Sequence, residues 1–508
     1  MRLTLYLIVL FFTILFLSNV ASGQNGLTSL EELGKAIYFD KIADPDRMAC
    51  ADCHHPRAGF TGPIPGVNNK GSVYRGAVPQ RFGNRKPPSA AYATDSPVFY
   101  YDTDEELFIG GNFWDGRATG WSLGAPAAEQ ALGPFLNPVE QNNASKLAVL
   151  EQIASSKYAY LWEIVWGLPI SLDPADVDTE YDRIGLAINA FEGSSEVNQY
   201  SSKYDAYLAG QAALTSQEAW GLELFEGKAQ CSACHPSEAG PLGEPPLFTD
   251  FTFDNLGIPK NPLNPYYDMD EVFLDDGTPI NPLGDSWIDP GLGGFLATLP
   301  ASNFEQWEID KTTAVNDNYG KHKVPTLRNV DKRPDVDFIK AYGHNGFFKS
   351  LEAIVHFYNT RDVEIWPAPE VSDNVNTEEL GDLGLTAEEE TAIVAFMKTL
   401  SDGYDPTADK QSVTMEMTLD ASDFRLAQNY PNPFNPQTTI TFDLPAPSEV
   451  TLKIYNVLGE EVATLLSNSL PSGPHSIVWV ASNYTSGVYL YKLETPEFVQ
   501  TRKMMLMK

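Results

Sequence analysis

Apolar and polar positions along the chain change their period several times, and each change marks a different kind of element. The run Leu3 to Leu17 is almost wholly apolar, follows Arg2 and ends in the small residues Ala21-Ser22-Gly23. That layout predicts a cleaved export signal over 1–23, too short for a spanning helix. Leu33-Gly34-Lys35-Ala36-Ile37-Tyr38-Phe39 and Trp220-Gly221-Leu222-Glu223-Leu224-Phe225-Glu226-Gly227 both read as short amphipathic helices. The second opens on a capping box, Thr215-Ser216-Gln217-Glu218. Helical spacing recurs over Ile184 to Phe191 and over Thr386 to Leu400, where Ile393, Val394, Phe396, Met397 and Leu400 are the apolar positions. Pro259 to Asn318 is rich in Pro, Gly, Asn and Asp and holds no sustained period, which predicts an ordered loop excursion. A polar linker then runs over 404–422, and beyond it the period shortens to two. Thr438 to Leu444, Glu449 to Tyr455, His475 to Val480 and Gly487 to Leu493 read as strands of a small sandwich.

At 508 residues, 43% hydrophobic and 12% aromatic, the chain has the material for more than one core. The fold class expected is mainly α, two related domains over 24–210 and 211–403, followed by a small β-sandwich over 423–508. A net charge of −34 argues against nucleic acid and anionic membrane surfaces as partners.

The only four cysteines lie in two Cys-x-x-Cys-His motifs, Cys50-Ala51-Asp52-Cys53-His54 and Cys231-Ser232-Ala233-Cys234-His235. Export would favour two disulfides, but two intervening residues suit a staple poorly. A zinc ribbon would place its pairs about 15–20 residues apart, and these are about 180 apart. A histidine directly after the second cysteine is instead the signature of covalent haem c: the thiols bond the vinyl groups and His54 and His235 become proximal iron ligands. The helices before the two motifs align, so the two domains are expected each to carry one haem. His55, one step past a ligand, is expected to point elsewhere.

Between the motifs stand Phe113-Trp114-Asp115-Gly116-Arg117-Ala118, Glu129-Gln130-Ala131-Leu132-Gly133-Pro134 and Asn137-Pro138-Val139-Glu140. With Lys323-Val324-Pro325-Thr326-Leu327-Arg328-Asn329-Val330, His344-Asn345-Gly346 and Leu351-Glu352-x-x-Val355-x-x-Tyr358, these resemble the bacterial dihaem cytochrome c peroxidase and MauG family over about Leu30 to Asp402. The resemblance implies that Trp114 lies between the haems and that Gln130 and Glu140 stand over the open face of the first. An insertion after Arg117 brings Trp121 in as a rival for the interhaem position. Glu140 has the chemistry to move a proton between the two oxygens of peroxide, and Gln130 to donate a hydrogen bond without competing for iron.

None of the seven histidines lies between His55 and His235, and Val67 to Arg85 offers none, so the first haem is expected to be open. Met48 is badly placed as a ligand. On the second haem the resemblance puts the distal ligand fourteen residues after His344, which is Tyr358 here. A phenolate there would lower the reduction potential; Met397 and Met269 are the rivals, and His344 and His356 are expected to be structural hydrogen-bonders. Family members also bind calcium through an asparagine and the carbonyls around Val-Pro-Thr. Lys323 and Pro325 offer the carbonyls, while Lys86 stands near the expected asparagine, with Asn84 two residues earlier.

The tail resembles the C-terminal sorting domain of the type IX secretion system. The matching pieces are Leu426-Ala-Gln-Asn-Tyr-Pro-Asn-Pro-Phe-Asn-Pro436, Ile454-Tyr-Asn-Val-Leu-Gly459, Ser486-Gly-Val-Tyr489 and Thr501-Arg-Lys-Met504. It implies passage through the periplasm of a Gram-negative cell to the surface or the medium, with the outer-membrane secretion machinery as a partner. The activity expected is reduction of hydrogen peroxide with electrons from a small donor, a cytochrome c or cupredoxin. A MauG-like oxidase and a non-enzymatic electron-transfer cytochrome are the alternatives.

Overall fold

The computed structural model describes residues 26–240, 243–406 and 424–506, the last without 428, 430, 431, 433, 435 and 458. The expected export signal, and all but the first residues of the linker, lie outside the described residues. Two compact units divide between Tyr404 and Asp405. No described helix is long and apolar enough to cross a membrane.

The first unit is built on helices that carry their own start signals. Helix Ser29–Phe39 opens on a capping box made by Thr28 and Glu31, Ser216–Glu226 on Thr215 and Glu218, and Ala387–Lys398 on Thr386 and Glu389. Each box satisfies amide groups that the first turn leaves without acceptors. Helices Ser29–Phe39, Pro126–Leu136, Lys146–Ala154, Ala159–Trp166 and Val177–Glu192 enclose one apolar core around Leu33, Ile37, Phe135, Trp162, Ile184 and Ile188. Ser216–Glu226, Leu351–Thr360 and Ala387–Lys398 enclose a second around Phe225, Leu351, Phe357, Ile393 and Phe396.

The two cores repeat one close approach. A Cβ added at Gly34 would land on the carbonyl oxygen of Ala187 and against the Cβ of Phe191; one at Gly221 would land on the carbonyl of Ala392 and against the Cβ of Phe396. In each half, therefore, the helix leading to the Cys-x-x-Cys-His motif lies directly on the backbone of the last helix, at a contact that only glycine permits.

The segment 259–318 is a loop excursion, as its composition suggests, only as far as Pro290, with short 3-10 turns at Pro265–Asp268 and Gly284–Ser286. Beyond it the chain forms three short helices, Gly291–Thr298, Ala301–Gln306 and Lys311–Asp317, which build a third core from Leu292, Leu296, Phe304 and Ala314 against Phe99, Phe108 and Phe253. Packing against those phenylalanines overrides the weak helix propensity of Gly291-Leu-Gly-Gly294.

The second unit contains two antiparallel sheets that share one core. Gly487–Glu494 lies between Val499–Leu506 and Ser448–Asn456, with Glu461–Leu470 at the edge; Gln437–Leu444 lies between Arg425–Leu426 and Gly473–Val480. Alternation sends Ile440, Phe442, Leu452, Ile454, Tyr491 and Leu493 inward. Strands Glu461–Leu470 and Val499–Leu506 were not among those expected; Ser467-Asn468-Ser469 reads as a turn but continues a strand paired with Ser448–Asn456.

Candidate functional site

Each Cys-x-x-Cys-His motif folds as a tight 3-10 turn, Cys50–Asp52 and Cys231–Ala233, and in each the histidine amide donates to the first cysteine's carbonyl at 2.9 Å. That turn carries both thiols and the ring of one motif into one cavity. Cys50, Cys53 and His54 line the first cavity; Cys231, Cys234 and His235 line the second. No disulfide joins any of the four cysteines. Burial pushes Cys50 up to about 12 and Cys53 higher still, so neither is the reactive thiolate of a redox dithiol.

Both cavities fit a haem joined through thioethers. Nδ1 of His54 lies 3.3 Å from the carbonyl oxygen of Phe60 and Nδ1 of His235 lies 2.7 Å from that of Phe248, contacts that orient a proximal imidazole. Desolvation lowers His54 to about 4 and moves His235 the same way, keeping both rings in the neutral form that ligates metal.

The structure brings the three dispersed candidates together. Trp114, Gln130 and Glu140 all line the first cavity. Gln130 stands on helix Pro126–Leu136, where Pro134 sits at the last turn and Asn137 ends the helix. The chain then doubles back so that the Glu140 amide donates to the Asn137 carbonyl at 3.0 Å. Asn137 Nδ2 in turn donates to Glu140 Oε2 at 2.8 Å. Burial raises the Glu140 carboxyl, opposed by the Arg117 guanidinium and by the Asn137 hydrogen bond. A carboxyl so balanced is suited to accept and return a proton.

Trp114 lines both cavities, is 9% exposed, and is clamped at two points. Its Nε1 donates to the Lys86 carbonyl at 2.8 Å, and its own carbonyl accepts from the Lys323 amide at 2.8 Å. Trp121 is 45% exposed, donates to the Phe99 carbonyl at 2.9 Å and lines neither cavity. The insertion that carries it is folded onto Glu129, whose carboxylate accepts from the amides of Gly120 and Ser122 at 2.6 Å each and from the Leu123 amide at 3.1 Å.

Tyr358 lines the second cavity with Cys231, Cys234 and His235, as does Met397. Its hydroxyl has no hydrogen-bond partner among the described residues, and burial raises it, with the two thiols adding to the effect. Met269 is 2% exposed and lines neither cavity, whereas Met48 lines the first. His344 is buried against Glu370 at 3.3 Å and His356 pairs with Glu364 and Glu390, while the His55 ring accepts from the Arg57 amide and lines neither cavity.

Glu192 was not anticipated. It closes helix Val177–Glu192, is 3% exposed, lines the first cavity and leaves Oε2 without a hydrogen bond. Burial alone raises its carboxyl to about 8. The single signal in the sequence is its register, one step past Phe191 at the end of an apolar face. Lys323 was noted for its carbonyl and Lys86 as standing near an expected asparagine; both residues line the second cavity, and Lys86 the first as well.

Residues 28–213 match the family described as di-haem cytochrome c peroxidase, and residues 428–507 the family described as secretion system C-terminal sorting domain. The methylamine utilization protein MauG of Paracoccus denitrificans is 29% identical over 74% of this chain and 90% of its own length. The cytochrome-c peroxidase IdrP2 of Denitromonas iodatirespirans is 25% identical over 76% of this chain and 85% of its own. The crystal structure of the diheme peroxidase BthA from Burkholderia thailandensis superposes with a TM-score of 0.58 at 28% identity, covering 74% of this chain and 86% of BthA.

Proposed function

We propose that the chain, whose residues 28–213 match the di-haem cytochrome c peroxidase family and whose residues 428–507 match the secretion system C-terminal sorting domain, is a secreted peroxidase reducing hydrogen peroxide to water. The family match implies two c-type haems, and the sorting domain implies export. We assign the haems to Cys50, Cys53 and His54 and to Cys231, Cys234 and His235, in domains 24–210 and 211–403. The tail, 423–508, would address the protein through the periplasm to the cell surface or medium.

The observation that carries the reading is a half-buried carboxyl, raised by desolvation, in the same cavity as the first haem-attachment motif. When bound, the haems supply the iron redox chemistry that accepts and passes electrons. The chain's own residues do the rest. Glu140, held through Oε2 by Asn137, takes the proton from one peroxide oxygen and returns it to the other. Gln130 donates a hydrogen bond into the cavity. Trp114, lining both cavities, is the route for electrons that enter at the second haem from a cytochrome c or cupredoxin. Two electrons and two protons turn one peroxide into two waters.

Calcium does not fit beside the Lys323 and Pro325 carbonyls. Lys86 stands near the position where the asparagine ligand is expected, and its side chain offers an ammonium group in place of a carbonyl oxygen.

The second reading, a MauG-like oxidase of a protein or small molecule, is favoured by one observation: the Tyr358 hydroxyl is unpartnered in the second cavity. A phenolate ligand would favour storage of oxidising power over a high-potential relay.

Electron paramagnetic resonance of the ferric protein, before and after one equivalent of peroxide, tests the proposal. Wild type should show a high-spin signal that peroxide abolishes, while in Glu140→Gln that loss should slow by about 100-fold or more. Only low-spin signals, indifferent to peroxide, would leave an electron carrier.

A further inference from the structure

Ammonium groups inside a protein are normally paired, because removing one from water is costly. Three lysines line the second cavity, and they differ in what they meet. Lys340 Nζ donates to three carbonyls, those of Ala58, Asn329 and Lys332, at 2.9, 2.7 and 3.1 Å, which uses all its protons and makes it a staple between chain segments. Lys86 Nζ meets only Thr61 Oγ1 at 3.2 Å and the Pro87 carbonyl at 3.1 Å, leaving a proton unused. Lys323 Nζ has no hydrogen-bond acceptor among the described residues; it lies 4.9 Å from the centre of the Phe251 ring. The acidic group acting on it, Asp250, lies beyond ion-pair distance, and Lys86 has no acidic group acting on it at all.

The same two residues clamp Trp114, one through its carbonyl and the other through its amide. Both residues are therefore fixed through their backbones to Trp114, which lines both cavities. Desolvation lowers each to about 8, so both stay largely charged at neutral pH provided nothing positive joins them. The carboxylates that line the same cavity, Asp254 and Glu379, form no ion pair with either lysine; both accept from the Asn376 side-chain amide, at 2.8 and 2.7 Å.

We propose that Lys86 and Lys323 are a built-in cationic hold for the propionate carboxylates of haems seated on either side of Trp114. A haem carries two such carboxylates, and unpaired donors on residues that line the cavity would supply the countercharge and hydrogen bonds that the chain itself leaves unused. The pair also sets the potential of what it holds: a cation beside a haem favours the reduced state. This inference rests on the dihaem reading above.

The test uses the full-length holoprotein with haem content and spectroelectrochemical midpoints as readouts. Lys86→Met and Lys323→Met should each make one haem harder to reduce by about tenfold, a shift of about 59 mV to the negative for one electron. Lys86→Arg and Lys323→Arg keep the charge and should stay near wild type. Lys86→Gln, which keeps a donor for Pro87, is the neutral variant to use if methionine prevents folding. Two haems per chain with unmoved potentials in the neutral variants would overturn the lysine assignment and leave the dihaem reading standing. A wild-type chain without covalent haem would instead remove that reading.

Discussion

Glu192 makes a prediction in which the sign and size follow from one buried carboxyl. Its ordinary value is 4.5 and burial raises it to about 8, so the folded protein binds a proton there that the unfolded chain releases. The folded state is then favoured below about pH 4.5 and loses that advantage as pH rises toward about 8. Between about pH 5 and pH 8 the loss amounts to about 3 kcal/mol, at roughly 1.4 kcal/mol per unit. Glu192→Gln removes the titration and leaves only a constant offset from burying an amide in place of a carboxyl. At roughly 2 cal/mol/K of unfolding entropy per residue, over the residues of the first unit, the midpoint of the variant should gain about 4 °C on wild type across that range. Calorimetry of both holoproteins at several pH values reads this directly. Parallel curves for wild type and variant would refute the argument and place an unrecorded partner, water or haem carboxyl, on Oε2.

Three further outcomes are expected. Gly34→Ala and Gly221→Ala should each destabilise the fold by about 2 kcal/mol in urea titration, since a methyl forced against a facing helix backbone outweighs the helix propensity it adds. Trp114→Phe, which removes the donor to the Lys86 carbonyl, should slow electron exchange between the haems in stopped-flow absorbance while leaving the peroxide reaction at the first cavity unchanged; Trp121→Phe should alter neither. Treatment with EGTA should leave the absorption spectrum and turnover as they were, and a loss that calcium restores would overturn the account of Lys86 and Lys323.

What could be read from the chain was whatever chemistry needs neighbours in sequence. The two attachment motifs and the capping boxes at Thr215 and Thr386 are local patterns, and they stand where expected. Trp114, Gln130 and Glu140 were named through the resemblance of their motifs to the family's, and the structure gathers them at one cavity. The helices within 259–318 were not, because Gly291, Gly293 and Gly294 carry no helix signal and the stabilising partners, Phe99 and Phe253, are remote in sequence. Glu192 was missed for a related reason: an acid at the end of an amphipathic helix reads as solvated unless one knows that the cavity lies there. Lys86 and Lys323 were read only against a calcium site because a sequence records charges and not which of them lack partners.

The repeated glycine contact puts the two halves in register. If Gly34 on Ala187 and Phe191 corresponds to Gly221 on Ala392 and Phe396, then Glu192 corresponds to Met397, and each lines its own cavity. One seat in a duplicated scaffold thus holds an ionisable carboxyl on one side and an inert thioether on the other. The inequality between the two centres need not have begun with the residues that face substrate. A single exchange at the foot of the last helix would make one half answer to proton concentration while its twin ignores it.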